Sequence, residues 1–254
     1  MTIQEMKEIK QERGYSYAQI AELSGVPLGT VQKIFNGETK NPRYDTIIAL
    51  TKVFREPMVV LETSAYGVEN PPGSYTIDDY RALPDEQRVE LIDGYFYDMA
   101  APTTFHQLMA GEVHRQIANY IMDEGGACTP FISPIDVQLD NDEKTMIQPD
   151  VVIVCKPEQI VRRNIIGAPD FVLEVISPGT KRRDYIMKLF KYEHAGVREY
   201  WIVDPYKKRV MVYFFESEVS PMIYPIDAEI PVSIYEGKLV LKFQQIARWA
   251  DQEA

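Results

Sequence analysis

Two stretches of the chain are apolar over the length of a strand, residues 151–155 in QPDVVIVC throughout and residues 171–176 in FVLEVIS at every position but Glu174. Runs this short and this continuous predict strands covered on both faces, because a strand with one wet face alternates apolar and polar positions. Further strands are expected at 92–99, 131–139, 200–203 and 210–215, where β-branched and aromatic residues cluster between turn formers. Helical spacing appears twice among them. Residues 104–123 carry the stripe Leu108, Val113, Ile117, Tyr120 and Ile121. Residues 181–194 set Tyr185, Ile186, Leu189 and Tyr192 toward a sheet and Lys181, Asp184, Lys188 and Lys191 on a polar stripe. Strands and helices mixed in this order predict an α/β sandwich with a mixed sheet.

The first sixty residues follow a purely helical rhythm. Met6 and Ile9 mark a leading amphipathic helix, and Ile47, Ile48, Leu50, Val53 and Phe54 a trailing one. Between them, YAQIAELSGVPLGTVQKIFN sets Ala21, Gly25, Val31 and Ile34 at offsets of 4, 6 and 3. A small residue suits the point where one helix meets its partner, and a glycine suits the tight turn after it. Pro27 fits the start of the next helix and Asn36-Gly37 its stop. Residues 3–56 thus resemble the Cro/repressor-like helix-turn-helix domains. The resemblance implies a second helix in the major groove whose outward Thr30, Gln32, Lys33 and Asn36 touch bases. Gln and Asn make bidentate contacts to adenine, and Lys33 reaches guanine or a phosphate. It also implies a homodimer, since one recognition helix reads few base pairs and half-sites lie about 34 Å apart. The alternative is a helical protein-interaction module on which these polar residues are merely solvated.

Periodicity fades after residue 59 and the turn formers ENPPGS follow. The expected division is a helix-turn-helix domain at 1–60, a linker at 61–74 and a second domain at 75–254. Charge divides unevenly across it. Residues 1–60 hold eight Lys or Arg against seven Asp or Glu, a net of +1, which leaves −12 of the total −11 to the remainder. A domain that acidic does not coat itself in nucleic acid by general attraction, so any DNA contact must be local. No apolar run reaches the roughly 18 residues that span a bilayer, and the chain starts without an apolar export segment, so a cytoplasmic protein without a membrane association is expected. Cys128 and Cys155 stand in apolar surroundings and are expected to be buried thiols.

Two acids occupy places that apolar strands should not tolerate, Asp150 at the mouth of one run and Glu174 inside the other. A carboxylate there costs several kcal/mol unless it is paired, protonated or bound to a cation. On neighbouring strands the two would present hard oxygen ligands to one divalent ion such as Mg²⁺. The alternative is an Asp capping the sheet and a Glu paired with Lys or Arg. Lys188 can reach toward these acids from the polar stripe, or can pair with Asp184 on an exposed face. His106, His114 and His194 lack close metal-ligand spacing. Ser177 has no nucleophile-elbow context and no phosphate-binding GxxxxGK[ST] run occurs, which argues against serine hydrolases and P-loop enzymes.

The segments ELIDGYFYDM, IQPDVVIV, FVLEVISPGTKRRDYIMKLFKYEHAGV and REYWIVDP, in this order, resemble the restriction-endonuclease-like family abundant in cyanobacteria, within the PD-(D/E)XK nuclease superfamily. The resemblance spans residues 75–245. It implies an αβββαβ nuclease core in which Asp150 and Glu174 bind Mg²⁺, with Mn²⁺ as a substitute and the Val175 carbonyl as a further ligand. Glu90 matches an acid on the leading helix of such cores and would hold a metal-bound water. One departure matters: the superfamily lysine two residues after the second acid is replaced by Ile176. Relatives resemble a version with the lysine moved to the following helix, where Lys188 would stabilise developing charge. The reading is a metal-dependent DNA endonuclease targeted by its helix-turn-helix. Its alternative is a non-catalytic DNA-binding regulator that keeps a nuclease fold for dimerisation or sensing, which the absent in-motif lysine favours.

Overall fold

Apolar side chains at helical spacing near the start of the chain close on one another as a small core of Met6, Ile20, Val31, Ile34, Leu50 and Phe54, among others. The computed structural model describes residues 3, 5–7, 10, 17–39, 42–54, 73–84, 86–140, 142–177, 187–217 and 220–252. It divides the chain into two compact units, Met1–Leu61 and Glu62–Ala254. Nearly all of the expected linker lies outside the described residues. In the first unit, α1 (Tyr17–Ser24), α2 (Leu28–Phe35) and α3 (Tyr44–Phe54) follow one another. Gly25 takes φ +69° at the turn after α1, the left-handed conformation expected of it. Pro27 holds the N-cap position of α2, and Asn36 is its C-cap.

In the second unit the two apolar runs become β5 (Val151–Val154) and β7 (Phe171–Val175), every residue of both buried. They pair antiparallel inside a six-stranded sheet whose other members are β3 (Thr129–Ile132), β8 (Glu199–Asp204), β9 (Arg209–Phe214) and β10 (Met222–Pro225). The strand order is β10-β9-β8-β7-β5-β3. β7 and β8 run parallel and their neighbours antiparallel, so the sheet is mixed as expected. Between β7 and β8 lies α6 (Leu189–Ala195), and before β3 lies α5 (Thr104–Glu124), completing the order αβββαβ. On one face, Met109, Val113 and Ile117 of α5 and Ile246 of α7 (Gln244–Gln252) pack with Val151, Leu173, Val175 and Trp201. On the other, Tyr192 of α6 packs with Val152, Val172, Ile202 and Ile92. Short pieces complete the unit: α4 (Ile77–Arg81), β4 (Val137–Gln138) paired with β6 (Ile165–Ile166), and β11 (Glu229–Pro231) paired with β12 (Val240–Lys242).

Three expectations are corrected. The single strand expected at 92–99 is a hairpin, β1 (Val89–Ile92) and β2 (Tyr95–Asp98). Asp93 and Gly94 turn it with φ of 51° and 78°, the paired positive values of a two-residue turn that suits the sheet's twist. The strand expected at 131–139 breaks after Ile132, at a cis Ser133–Pro134 bond, and resumes in β4 in a different sheet. Cys128 and Cys155 are not thiols but a disulfide, with Cα atoms 3.9 Å apart. The reason is register. Thr129 pairs with Val154, so the next position outward on β3 and β5 sets the two cysteines face to face. Of the helix expected at 181–194, residues 181–186 lie outside the described residues, and with them Lys181, Asp184, Tyr185 and Ile186.

Glu199, fully buried in β8, accepts the Trp201 indole N–H at 2.7 Å and the Ile234 amide at 3.0 Å. Burial raises its pKa, and the N–H groups of Ile234, Ser233 and Trp201 only partly offset this. The folded state therefore holds this proton more tightly than the unfolded one, so the associated stability is complete below the ordinary carboxyl range and is lost as pH rises through the elevated value. Glu199→Gln, which cannot ionise, is expected to gain on wild type in urea midpoint as pH is raised through that window. Parallel midpoint curves for the two proteins would show that Glu199 does not titrate abnormally.

Candidate active site

Register brings the two intrusive carboxylates together. Val151 pairs with Leu173 across β5 and β7, so one step further Asp150 stands opposite Glu174. Asp150 is 8 % exposed and Glu174 3 %. The Val175 N–H donates to Asp150 Oδ2 at 2.7 Å, tying the mouth of β5 to the end of β7. His106 Nε2 lies 3.0 Å from the same oxygen. His106 stands in the first turn of α5, whose start is held by Thr103 accepting the His106 amide at 3.1 Å.

Glu174 meets its own partners on the α6 side. Lys188 Nζ lies 2.8 Å from Glu174 Oε1 and 2.8 Å from Glu90 Oε1. Its side chain is 4 % exposed, so the ammonium is withdrawn from water and offset by two carboxylates. Tyr192, one turn along the same face, donates its hydroxyl to Glu174 Oε1 at 2.6 Å. Burial first, then the Glu174 charge, pushes the Tyr192 hydroxyl well above its ordinary pKa and keeps it a donor. Lys188 does not take the exposed position its alternative reading required.

Glu90 is on strand β1 and not on a leading helix. The strand still delivers it to the same cluster, because the β1–β2 hairpin packs on the α6 face of the sheet through Ile92. Glu90 Oε1 also accepts the Gln148 amide at 3.0 Å. The Gln148 side chain in turn donates to Asp136 at 2.9 Å and to the Tyr80 hydroxyl at 3.1 Å. The structure thus gathers Asp150, Glu174, Glu90 and Lys188, with the Val175 main chain joined to them through its N–H. Among the described residues no group of three or more His, Cys, Asp or Glu is arranged to hold a metal ion. Lys188 lies between Glu90 and Glu174.

In the first unit, Val31, Ile34 and Phe35 turn inward from α2. Gln32, Lys33 and Asn36 are exposed and Thr30 half-buried, so the four residues read from spacing lie on or beside the outer face. Asn36 Oδ1 accepts a hydrogen bond from the Tyr17 hydroxyl at 3.4 Å. Among the described residues no helix is long and apolar enough to cross a membrane.

The Uma2 family model, described as "Putative restriction endonuclease", matches residues 77–229, more than half of the chain. The chain belongs to the Uma2 family. A second model, described as "Helix-turn-helix", matches residues 6–61. An uncharacterized protein of Synechocystis sp. is 26 % identical over 139 residues, covering 54 % of this chain and 72 % of that protein. A solved structure described as "a putative nuclease belonging to DUF820" from Anabaena variabilis shares the fold, with a TM-score of 0.57. It is 21 % identical, and the match covers 69 % of this chain and 98 % of that one. The chain therefore joins a helix-turn-helix DNA-binding domain to a restriction-endonuclease-like domain.

Within the Uma2 domain, sequence reasoning missed Gln148 and the hydroxyl of Tyr192, and reached His106 only as a candidate neighbour of the site. His106 has no metal-ligand spacing to other histidines, and its partner Asp150 is far away in sequence. Gln148 was open to notice, since it stands two residues before Asp150 in IQPD. Tyr192 is expected to face the sheet, and it does, but nothing in its spacing indicates that its hydroxyl ends on Glu174.

Proposed function

We propose that the Uma2 domain is a metal-dependent DNA endonuclease that hydrolyses phosphodiester bonds at Asp150 and Glu174, and that the helix-turn-helix selects the duplex on which it acts. The observation that carries this reading is the convergence of Lys188 with Glu174 and Glu90, beside Asp150, at one end of the paired inner strands β5 and β7. A lysine two residues after Glu174 is absent, and Lys188 supplies its charge from the N-cap of α6.

The donor set fits Mg²⁺ or Mn²⁺, since the oxygens of Asp150 and Glu174 are hard ligands facing each other across paired strands. The Val175 N–H bond and the His106 Nε2 contact both fall on Asp150 Oδ2, which leaves Oδ1 clear of them. An ion held by these carboxylates would supply a water of lowered pKa and neutralise phosphate charge. The protein's own groups do the rest. Lys188 places a fixed positive charge where the phosphorane develops negative charge, at no cost of reorganisation. Tyr192 holds Glu174, and Gln148 and the β1 strand hold Glu90. His106 and the Val175 N–H hold Asp150. On α2, Gln32 and Asn36 read adenine, Lys33 meets guanine or phosphate, and Thr30 supports the contact.

The test is incubation of the full chain with supercoiled and linear DNA in Mg²⁺ or Mn²⁺, with and without chelator. Nicking or linearisation that requires the metal is expected. A preparation that binds duplex DNA yet never cuts it with either ion would favour the regulator reading, which Ile176 supports.

A further inference from the structure

Lys188 stands at the N-cap of α6, and a second lysine one turn on makes a second rung beside the first. Lys188 meets Glu90 of β1. Lys191 Nζ lies 2.7 Å from Asp93 Oδ1 in the turn that closes the same hairpin, and it is also paired with Asp140 Oδ2 just beyond β4. The two lysines are three residues apart on the helix, and their two acids are three residues apart on the hairpin. One rung is sealed and the other faces outward: the Lys188 side chain is 4 % exposed, Lys191 16 % and Asp93 61 %.

We infer that Lys191 is a positioning residue for the active site: by clamping α6 to the β1–β2 hairpin and to Asp140, it sets where Lys188 stands between Glu90 and Glu174. A lone surface ion pair would contribute too little for this. Lys191 differs in being mostly withdrawn from water and held by two carboxylates on two separate segments. Burial acts to lower its pKa, and its hydrogen bonds to Asp140 and Asp93 outweigh that and raise it, so it remains charged. The hairpin end is equally defined, since Asp93 holds φ 51° in a two-residue turn and the Gly94 amide is bonded to the Lys144 carbonyl at 2.9 Å. A shift of α6 along its axis would move both lysines together. Removing the outer rung therefore loosens the inner one.

The inference rests on the nuclease reading only for its effect on turnover. Its direct readout is the Lys188 ammonium itself, followed by ¹⁵N side-chain NMR of the full chain, with the resonance assigned by its loss in Lys188→Met. In wild type, an ammonium buried between two carboxylates gives a slowly exchanging signal. Lys191→Met, which keeps the aliphatic stem, is expected to speed that exchange at least tenfold or abolish the signal. Lys191→Arg is expected to restore it, because a guanidinium can also span two carboxylates. Asp93→Asn and Asp140→Asn remove one partner each and are expected to give intermediate exchange, which keeps the test open should Lys191→Met fold poorly. In the cleavage assay Lys191→Met is expected to lower kcat about tenfold with KM unchanged. A Lys188 signal in Lys191→Met that matches wild type overturns the inference whether or not the protein cuts DNA. So does a wild-type protein without a slowly exchanging Lys188 signal. If the NMR result holds and wild type does not cleave DNA, the clamp stands and the nuclease reading falls.

Discussion

Lys188→Met is expected to destabilise the Uma2 domain by about 3–5 kcal/mol and to lower DNA cleavage by about a hundred- to a thousandfold. The stability loss follows from what remains. Methionine fills much of the same volume, but the Glu90 and Glu174 carboxylates, each 2.8 Å from the ammonium in wild type, stay buried and lose the charge that Lys188 supplied. Breaking a buried pair by removing one partner is costly for that reason, even where the pair itself contributes little over an apolar substitute. The loss of cleavage follows from the absence of an in-motif lysine, since Ile176 cannot carry charge and Lys188 is a cation bonded to Glu174. Urea unfolding measures the first effect and plasmid nicking the second. A variant as stable as wild type would mean that the triad of Lys188, Glu90 and Glu174 does not form. A variant that is destabilised but cuts at the wild-type rate, compared where both are folded, would remove Lys188 from the chemistry.

Asp150→Asn separates metal from fold. The amide keeps the shape and one acceptor oxygen, so the Val175 N–H can still be met, and any stability cost should stay within about 1–3 kcal/mol. The charge is lost, and with it half of the facing carboxylate pair. Mn²⁺ affinity measured by titration calorimetry is expected to fall at least tenfold, equivalent to about 1.4 kcal/mol. Cleavage is expected to fall about a hundredfold or more. Retained Mn²⁺ binding would place the ion elsewhere than between Asp150 and Glu174. Retained cleavage without Mn²⁺ binding at this position would break the link between metal and reaction altogether.

Much of the site was open to inspection in the chain, but unevenly. A carboxylate inside the apolar run FVLEVIS is conspicuous because burial of a charge demands a partner, and Glu174 is bonded to both Lys188 and Tyr192. Glu90 came from resemblance alone, and its setting was wrong: the leading helix expected to carry it is a hairpin strand. The Asp93-Gly94 pair was the available sign, because that dipeptide favours a two-residue turn. His106 had no local sign. Its role beside Asp150 depends on where α5 begins relative to the mouth of β5, a relation between elements and not within one. The cysteines illustrate the same gap, since their pairing follows from the β3–β5 register and not from their count.

Legible in the chain alone was the local order: a helical module with a glycine turn and inward Val31 and Ile34, then an α/β unit with two fully buried strands. Those properties depend on periodicities of a few residues, which the chain carries openly. The tertiary structure decided which distant groups meet. Glu90, Asp150, Glu174 and Lys188 run from residue 90 to residue 188, and no spacing along the chain relates them. They converge because strand register sets Asp150 opposite Glu174 and because α6 packs on the sheet face that also carries the β1–β2 hairpin. Side chains meet where backbone hydrogen bonding and close packing leave one alignment of the elements, and that alignment is a property of the whole domain.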